Sequence, residues 1–178
     1  RNGVQFSNPP IMLAAWLGVG NVARMAVNQF IEKVSATPLT SINMRHLYVP
    51  STVVVKKGKL LVPRVPKSTF YYRQDPDLIF FETDGQLTGR DQTFLIGKVL
   101  ETARHYGVNR IFTIAAFTKL ISSIQRPELF FAANNDSLGE ALVQYGLGPL
   151  DDGEIGGPAG LLPGMAAEQS IDAACLIT

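Results

Sequence analysis

Apolar and polar positions alternate along the chain with two periods, and the first change of period lies near its start. Residues 11–17 form an uninterrupted apolar run, and apolar side chains then recur at helical spacing over residues 22–34. The sequence Gly-Val-Gly-Asn at residues 18–21 separates the two segments. A strand, a tight glycine turn and a helix form the first half of a βαβ unit. Asn21 is placed to cap this helix, which we expect to end before Pro38.

The same two patterns predict further strands and helices. Apolar or alternating runs predict strands over residues 39–43, 70–73, 78–81, 110–117, 127–133 and 171–177. Two further helices are each opened by a capping box and closed by a glycine. The capping boxes pair Thr88 with Asp91 and Ser137 with Glu140. Strands that alternate with helices in this way indicate an α/β fold built on parallel strands.

A β-hairpin is predicted near residues 52–65. Two apolar stretches there flank Lys56-Lys57-Gly58-Lys59, which places glycine in the turn. The three lysines are compatible with a phosphate-binding patch, but lysines at a hairpin tip more often keep that tip solvated.

Two segments between these elements are irregular. Residues 46–48 are expected to run extended. Residues 146–164 are rich in glycine and proline, which is typical either of a disordered linker or of a packed loop. The aliphatic residues embedded in this segment favour a packed loop that enters a helix at Pro158 or Pro163.

Composition and charge limit the classes of function. The chain has 178 residues, of which 46% are hydrophobic and 17% are charged. This length predicts one domain over residues 1–178 that buries about 70% of the surface of the unfolded chain. The low charged fraction favours an oligomer. A net charge of +1 gives no strong field toward nucleic acid or an anionic membrane.

Cysteine content and the lengths of the apolar runs predict an intracellular, cytoplasmic protein. Cys175 is the only cysteine, which excludes an intrachain disulfide and a cysteine-rich zinc site. No apolar run reaches the ~18 residues of a membrane helix, and no signal peptide is visible. The chain begins at Arg1 without a methionine, so we expect residues to be missing at one or both ends.

The glycine turn is the strongest candidate for chemistry. Gly18, Gly20 and Ala23 match the dinucleotide pattern G-x-G-x-x-A between a strand and a helix, and amides at a helix start attract anions. That pattern also needs an acidic residue about 20 residues later, but residues 41–43 are Ser, Ile and Asn. Three interpretations stay open: a dinucleotide site, a site for another phosphate or small anion that includes Asn21, and a structural turn without a ligand.

Polar and glycine residues in later loops are candidates for the rim of such a site. Glu82 and Asp84 follow a predicted buried strand, and ligands of open α/β sheets bind at the carboxyl ends of parallel strands. Gly156 and Gly157 precede the last predicted helix. No metal-binding, P-loop, protease or hydrolase motif occurs in the sequence, so we assign no catalytic residue and expect no metal or cofactor.

Several longer segments resemble the proteasome assembly chaperone 2 family. The likeness lies in PPIMLAAWLGVGNVARMAVNQFIEKV, DLIFFETDGQ, YGVNRIFTIAAF, RPELFFAAN and GEIGGPAGLLPGMAAEQSIDAACLIT, and it covers nearly the whole chain. Its most specific parts are residues 18–21 and 156–162. The chain departs from the family at Leu87, where relatives often have proline.

The resemblance has consequences for both fold and function. It implies a three-layer α/β/α sandwich similar to nucleoside phosphorylases, with a mostly parallel sheet, that forms homo-oligomers. It also implies a non-enzymatic protein that binds proteasome subunits or another protein complex by surface burial. The alternative is a phosphate- or nucleotide-binding enzyme, nucleoside-phosphorylase-like or ligase-like, that uses residues 18–21.

Overall fold

A mixed sheet of eight strands forms the centre of the computed structural model, which describes residues 3–48, 50, 53–117 and 128–178. The elements in chain order are β1 (Ile11–Ala15), α1 (Val22–Lys33), β2 (Thr37–Ile42), β3 (Val54–Lys56), β4 (Lys59–Leu61), β5 (Ser68–Arg73), β6 (Leu78–Thr83), α2 (Gly89–His105), β7 (Arg110–Ala115), β8 (Phe130–Ala133), α3 (Asp136–Gln144), β9 (Gly148–Pro149), α4 (Pro158–Ala167) and β10 (Asp172–Ile177).

The sheet has a parallel centre and antiparallel flanks. Its strand order is β2-β5-β6-β1-β7-β10-β8-β9. Strands β6, β1, β7 and β10 are parallel to one another, β5 and β2 continue the sheet antiparallel on one side, and β8 is antiparallel to β10 on the other. Helix α2 carries the chain from β6 to β7, which pair with the two edges of β1. The carboxyl ends of β1, β6 and β7 therefore open at the same edge.

Helices cover both faces of this sheet, which confirms the three-layer α/β/α sandwich. Successive side chains of β6 point to opposite faces of the sheet, and Ile79, Phe80 and Phe81 are each 0% exposed, so both faces are covered there. Phe81 packs in one cluster with residues of α2 and α4, whereas Phe80 packs with Ala23 and Val27 of α1 on the other face. Helix α3 lies on the same face as α1 and covers β8 and β10.

The predicted helices are present, but their caps differ from the prediction. Helix α3 is capped by Asn135, whose side-chain oxygen accepts a hydrogen bond from the Leu138 amide at 2.9 Å, so the predicted capping box at Ser137 is wrong. Thr88 is the N-cap of α2 without a side-chain capping bond. Asn21 is the N-cap of α1, but its φ of 55° is left-handed and its side chain caps nothing.

Two irregular segments are now defined. Residues 46–48 are not extended, because a 3₁₀ turn spans Met44–His46 and the side chain of Asn43 accepts a hydrogen bond from the Arg45 amide at 3.0 Å. The segment before the last helix contains the short strand β9 and an exposed stretch at residues 151–154, and as predicted it enters α4 at Pro158.

The predicted hairpin forms a small sheet of its own. Val54 pairs with Leu61, and Val55 pairs with Leu60. Lys57 and Gly58 in the turn have φ values of 50° and 75°, and two central residues with positive φ are the mark of a tight hairpin turn. Residue 52 of the predicted hairpin and residue 127 of the predicted strand before α3 lie outside the described residues.

Candidate functional site

A cavity of about 280 Å³ lies where the parallel strands end. Its lining comes from Trp16 and the turn after β1, from residues 85–88 after β6, from residues 114–116 at the end of β7 and from residues 156–159 at the start of α4. This position is the usual ligand-binding edge of an open α/β sheet.

Three helices begin at this cavity. Ala23 of α1, Gln92 of α2 and Pro158 of α4 all line it within the first turn of their helices. Each helix start carries partial positive charge on amides without an intrahelical partner. The described lining residues include no ionisable side chain, and their polar side chains are Trp16, Gln86, Thr88 and Gln92. The described lining therefore carries no full charge to balance a multiply charged group.

The predicted glycine turn contributes only in part to this lining. Gly18 lines the cavity in an extended conformation, with a φ of −163°. Gly20 and Asn21 are outside the lining, and their φ values of 59° and 55° form the turn into α1. The Asn21 amide donates a hydrogen bond to the Gly18 carbonyl at 3.0 Å. The left-handed turn explains why glycine is favoured at residue 20 without a ligand.

The predicted rim residues divide into three groups. Gly156 and Gly157 line the cavity, and Gly157 is the N-cap of α4 with a φ of 74°. Glu82 instead faces α1, where a carboxylate oxygen accepts a hydrogen bond from the Arg24 guanidinium at 3.1 Å. Burial and then the charge of Glu82 raise the pKa of the neighbouring Tyr71.

Asp84 lines a second, wider cavity of about 780 Å³. It forms an ion pair with Arg64 and accepts a hydrogen bond from the Lys67 amide at 2.6 Å. Burial by itself raises the pKa of Asp84, but the Lys67 hydrogen bond and the Arg64 guanidinium together outweigh it and hold the pKa below its ordinary value. Leu17 and residues 86–88 separate the two cavities and line both.

The structure adds residues that sequence reasoning did not select. Trp16 is 6% exposed, and its buried indole N–H has no hydrogen-bond partner among the described residues. Thr88 is the N-cap of α2, Gln92 lies in its first turn, and Gln86 lies in the loop after β6. Gln86, Thr88 and Gln92 follow a predicted buried strand, which could have pointed to them from the sequence. Many polar surface residues share that position, so it is not specific. No group of three His, Cys, Asp or Glu side chains within the described residues is arranged to hold a metal ion.

The sequence was compared with models of protein families. The PAC2 family model matches residues 12–178. The chain belongs to the PAC2 family. This match confirms the family that the motifs in the sequence indicated. No curated protein matches this PAC2 chain.

Solved structures share the fold of this PAC2 chain. Pyrococcus furiosus PbaA, an archaeal homologue of proteasome-assembly chaperone, is 15% identical with a TM-score of 0.77, covering 98% of this chain and 69% of PbaA. Pyrococcus furiosus PbaB, an archaeal proteasome activator, is 22% identical with a TM-score of 0.76, covering 98% of this chain and 78% of PbaB. A proteasome-assembly chaperone homologue of Mycobacterium tuberculosis is 16% identical with a TM-score of 0.74, covering 94% of this chain and 73% of the other.

One structural finding bears on membranes. Among the helices of the described residues, none combines the length and the apolar character needed to cross a bilayer.

Proposed function

We propose that this PAC2 chain is a non-enzymatic, cytoplasmic assembly factor of one domain that binds proteasome subunits and associates with itself. The observation that carries the proposal is the family match over residues 12–178. The descriptions of PbaA and PbaB, a homologue of proteasome-assembly chaperone and a proteasome activator, support the choice of partner.

Exposed apolar side chains support a mechanism of surface burial. Val55 and Leu60 of the hairpin are 65% and 71% exposed, and Met25 and Phe30 of α1 are 67% and 47% exposed. Val55 and Leu60 lie opposite each other across the hairpin, and an exposed apolar patch is typical of a protein interaction site. Burial of such surface against a partner needs no bond chemistry at the chain itself.

The test uses purified α-type and β-type proteasome subunits from the organism that encodes the chain. Sedimentation velocity measures binding of the chain to each subunit type, and native gel electrophoresis follows the assembly of particles with and without the chain. We expect a complex with one subunit type and faster assembly. A chain that binds neither subunit type and leaves the assembly rate unchanged contradicts the proposal.

A second candidate is a phosphate- or nucleotide-binding enzyme that uses the cavity beside Gly18. The convergence of three helix starts on one cavity favours it. It is the weaker candidate because the described lining offers no cation to balance a multiply charged phosphate, and because Gly20 and Asn21 are outside the lining.

A thermal-shift panel tests this second candidate. Inorganic phosphate, nucleosides and nucleotides are each added to the chain, and the melting temperature is measured. A ligand at 100 times its dissociation constant stabilises the folded state by ~2.7 kcal/mol, which gives a shift of several degrees. A melting temperature that no compound raises removes this candidate.

A further inference from the structure

We propose that the β3–β4 hairpin is the surface through which one copy of this chain binds a second copy. On the first copy the contact uses the apolar side of the hairpin and its lysines. On the second copy it uses an acidic loop and the exposed apolar residues around the start of the strand before it. The inference rests on the self-association included in the proposed function, and it adds the two surfaces that meet.

One side of the hairpin faces away from the body of the molecule. Side chains of a strand alternate between its two sides. Val54 lines the 780 Å³ cavity, so its side of the hairpin faces the sheet. The opposite side, which we call the outer hairpin face, carries four aliphatic residues: Val53 at 53%, Val55 at 65%, Leu60 at 71% and Val62 at 75% exposure.

The hairpin has little support within its own chain. It is a two-stranded sheet separate from the eight-stranded one, and none of its described residues belongs to the buried core clusters. A two-stranded hairpin is marginally stable in water unless it packs against something else. An exposed apolar hairpin that is nevertheless regular is therefore typical of a surface that a partner covers.

The charges at the hairpin end define the partner surface. Lys56, Lys57 and Lys59, the lysine tip, are exposed at the end of the hairpin, where Lys56 pairs with Lys59 on the Val54 side and Lys57 lies in the turn. No described carboxylate lies within salt-bridge distance of them. Among the described loops, residues 151–154, with the sequence Asp-Asp-Gly-Glu, form an exposed one that carries three carboxylates. We call it the acidic loop.

Exposed apolar residues lie around the start of the strand that leads into the acidic loop. The loop follows strand β9, and three exposed apolar side chains lie within a few residues of that strand or of its hydrogen-bonded neighbour. They are Leu129 at 53%, Val143 at 52% and Tyr145 at 82% exposure. A second copy therefore offers negative charge for the lysine tip and exposed apolar surface around the strand before the acidic loop, and complementary charge fixes the register of such a contact.

The sheet edge at β2 is a less suitable surface for self-association. Pro38 lies in β2, and the pairing register of β2 shifts between Pro38 and Thr40. Proline and bulges at an edge strand hinder pairing with another strand. The hairpin contact joins two different surfaces of the same chain, so it builds a closed ring, an open filament or a dimer in which the contact occurs twice.

The test reverses the charge of each surface separately. One variant carries Lys56→Glu, Lys57→Glu and Lys59→Glu, and the other carries Asp151→Lys, Asp152→Lys and Glu154→Lys. Each variant then opposes like charges across the contact, and we expect its dissociation constant for self-association to rise at least ~100-fold. All six residues are exposed, so the melting temperature of each variant should stay close to that of the unmodified chain.

Mixing the two variants gives the decisive measurement. The reversed tip of one variant faces the reversed loop of the other, so a 1:1 mixture should assemble in sedimentation velocity although neither variant does so alone. In a separate variant, Leu60→Ser with Val62→Ser should weaken assembly, whereas Phe94→Ser, at a half-exposed apolar site on α2, should not.

The possible results separate this inference from the proposed function. An unmodified chain that self-associates regardless of both reversals overturns the hairpin contact alone, and so does a mixture that fails to assemble. An unmodified chain that stays monomeric at millimolar concentration overturns the contact and self-association together, but leaves binding to proteasome subunits standing. If the lysine reversal then abolishes that binding, the hairpin contacts the proteasome subunit and not a second copy of this chain.

Discussion

Individual backbone contacts at Gly160 show how closely α4 packs on the loop before it. A Cβ added at Gly160 would lie 2.3 Å from the Ile155 carbonyl oxygen and 2.8 Å from the Ile155 Cβ, so only glycine fits there. Gly164 lies in the same helix, and a Cβ added there would meet no atom within 4 Å. A side chain would therefore clash at residue 160 and meet no neighbouring atom at residue 164.

This contrast predicts opposite effects of the same substitution. Gly160→Ala should lower the free energy of unfolding by about 2 kcal/mol, because overpacking outweighs the gain in helix propensity. Gly164→Ala should raise it by about 0.5–1 kcal/mol, because alanine favours the helix and meets no neighbour. Urea unfolding of both variants measures the difference, and equal effects of the two substitutions would contradict the packing at Gly160.

Asp84 makes the free energy of unfolding depend on pH in the acid range. Because its folded-state pKa is below the ordinary value, the unfolded chain binds more protons between the two pKa values, and stability is lost as the pH falls through that interval. Asp84→Asn should cost about 1–2 kcal/mol at neutral pH through the weakened Lys67 hydrogen bond. It should also flatten the loss of stability below about pH 4. Asp152→Asn, at an exposed carboxylate, is the control, and urea unfolding across a pH series measures both.

Among the elements, α4 and the antiparallel strand β8 are joined by one side chain. The Asn134 amide nitrogen donates to the Ile171 carbonyl at 2.9 Å and to the Pro163 carbonyl at 3.2 Å. Its oxygen accepts from the Ala173 amide at 2.9 Å. The hydroxyl of the buried Thr113 donates to the Ala159 carbonyl at 2.6 Å. These bonds hold the start and the middle of the helix that forms one wall of the cavity.

Removal of the Asn134 amide should destabilise this junction. Asn134→Ala leaves backbone groups near α4 and β10 without their partners, and we expect a loss of about 2–4 kcal/mol. Asn28→Ala in α1, where the side chain makes no hydrogen bond to the described residues, should change stability by less than about 0.5 kcal/mol. Chemical unfolding quantifies both losses, and amide exchange of the Ala173 N–H should accelerate only in the first variant.

For the whole molecule, the 280 Å³ cavity separates the two candidate functions. Gly18 is extended, and a Cβ added there would meet no atom within 4 Å, so Gly18→Val is tolerated by the backbone and fills part of the cavity. If the chain acts by surface binding, this variant should assemble and bind proteasome subunits as the unmodified chain does. If the chain binds a small ligand in the cavity, this variant should bind that ligand with an apparent affinity at least tenfold lower, as measured by thermal shift.

The local sequence pattern predicted most of the elements of the molecule. The uninterrupted run over residues 78–81 became a strand buried on both faces. The apolar residues at helical spacing in α2, at 96, 99, 100 and 103, are buried, and Tyr106 at its C-cap is half-buried. The hairpin turn at Lys57 and Gly58 also followed from the sequence. Periods of two and 3.6 residues are properties of the local backbone, so the sequence displays them directly.

The sequence by itself thus determined the order of the elements, the faces that they bury and the family. Only the tertiary structure decided that Glu82 pairs with Arg24, 58 residues away, instead of lining the cavity beside Gly18. It also decided that β8 runs antiparallel to β10 and that Asn135, not Ser137, caps α3. The physical reason is that a side chain finds its partner through the packing of distant elements, and a local pattern does not record which distant element lies on the other side.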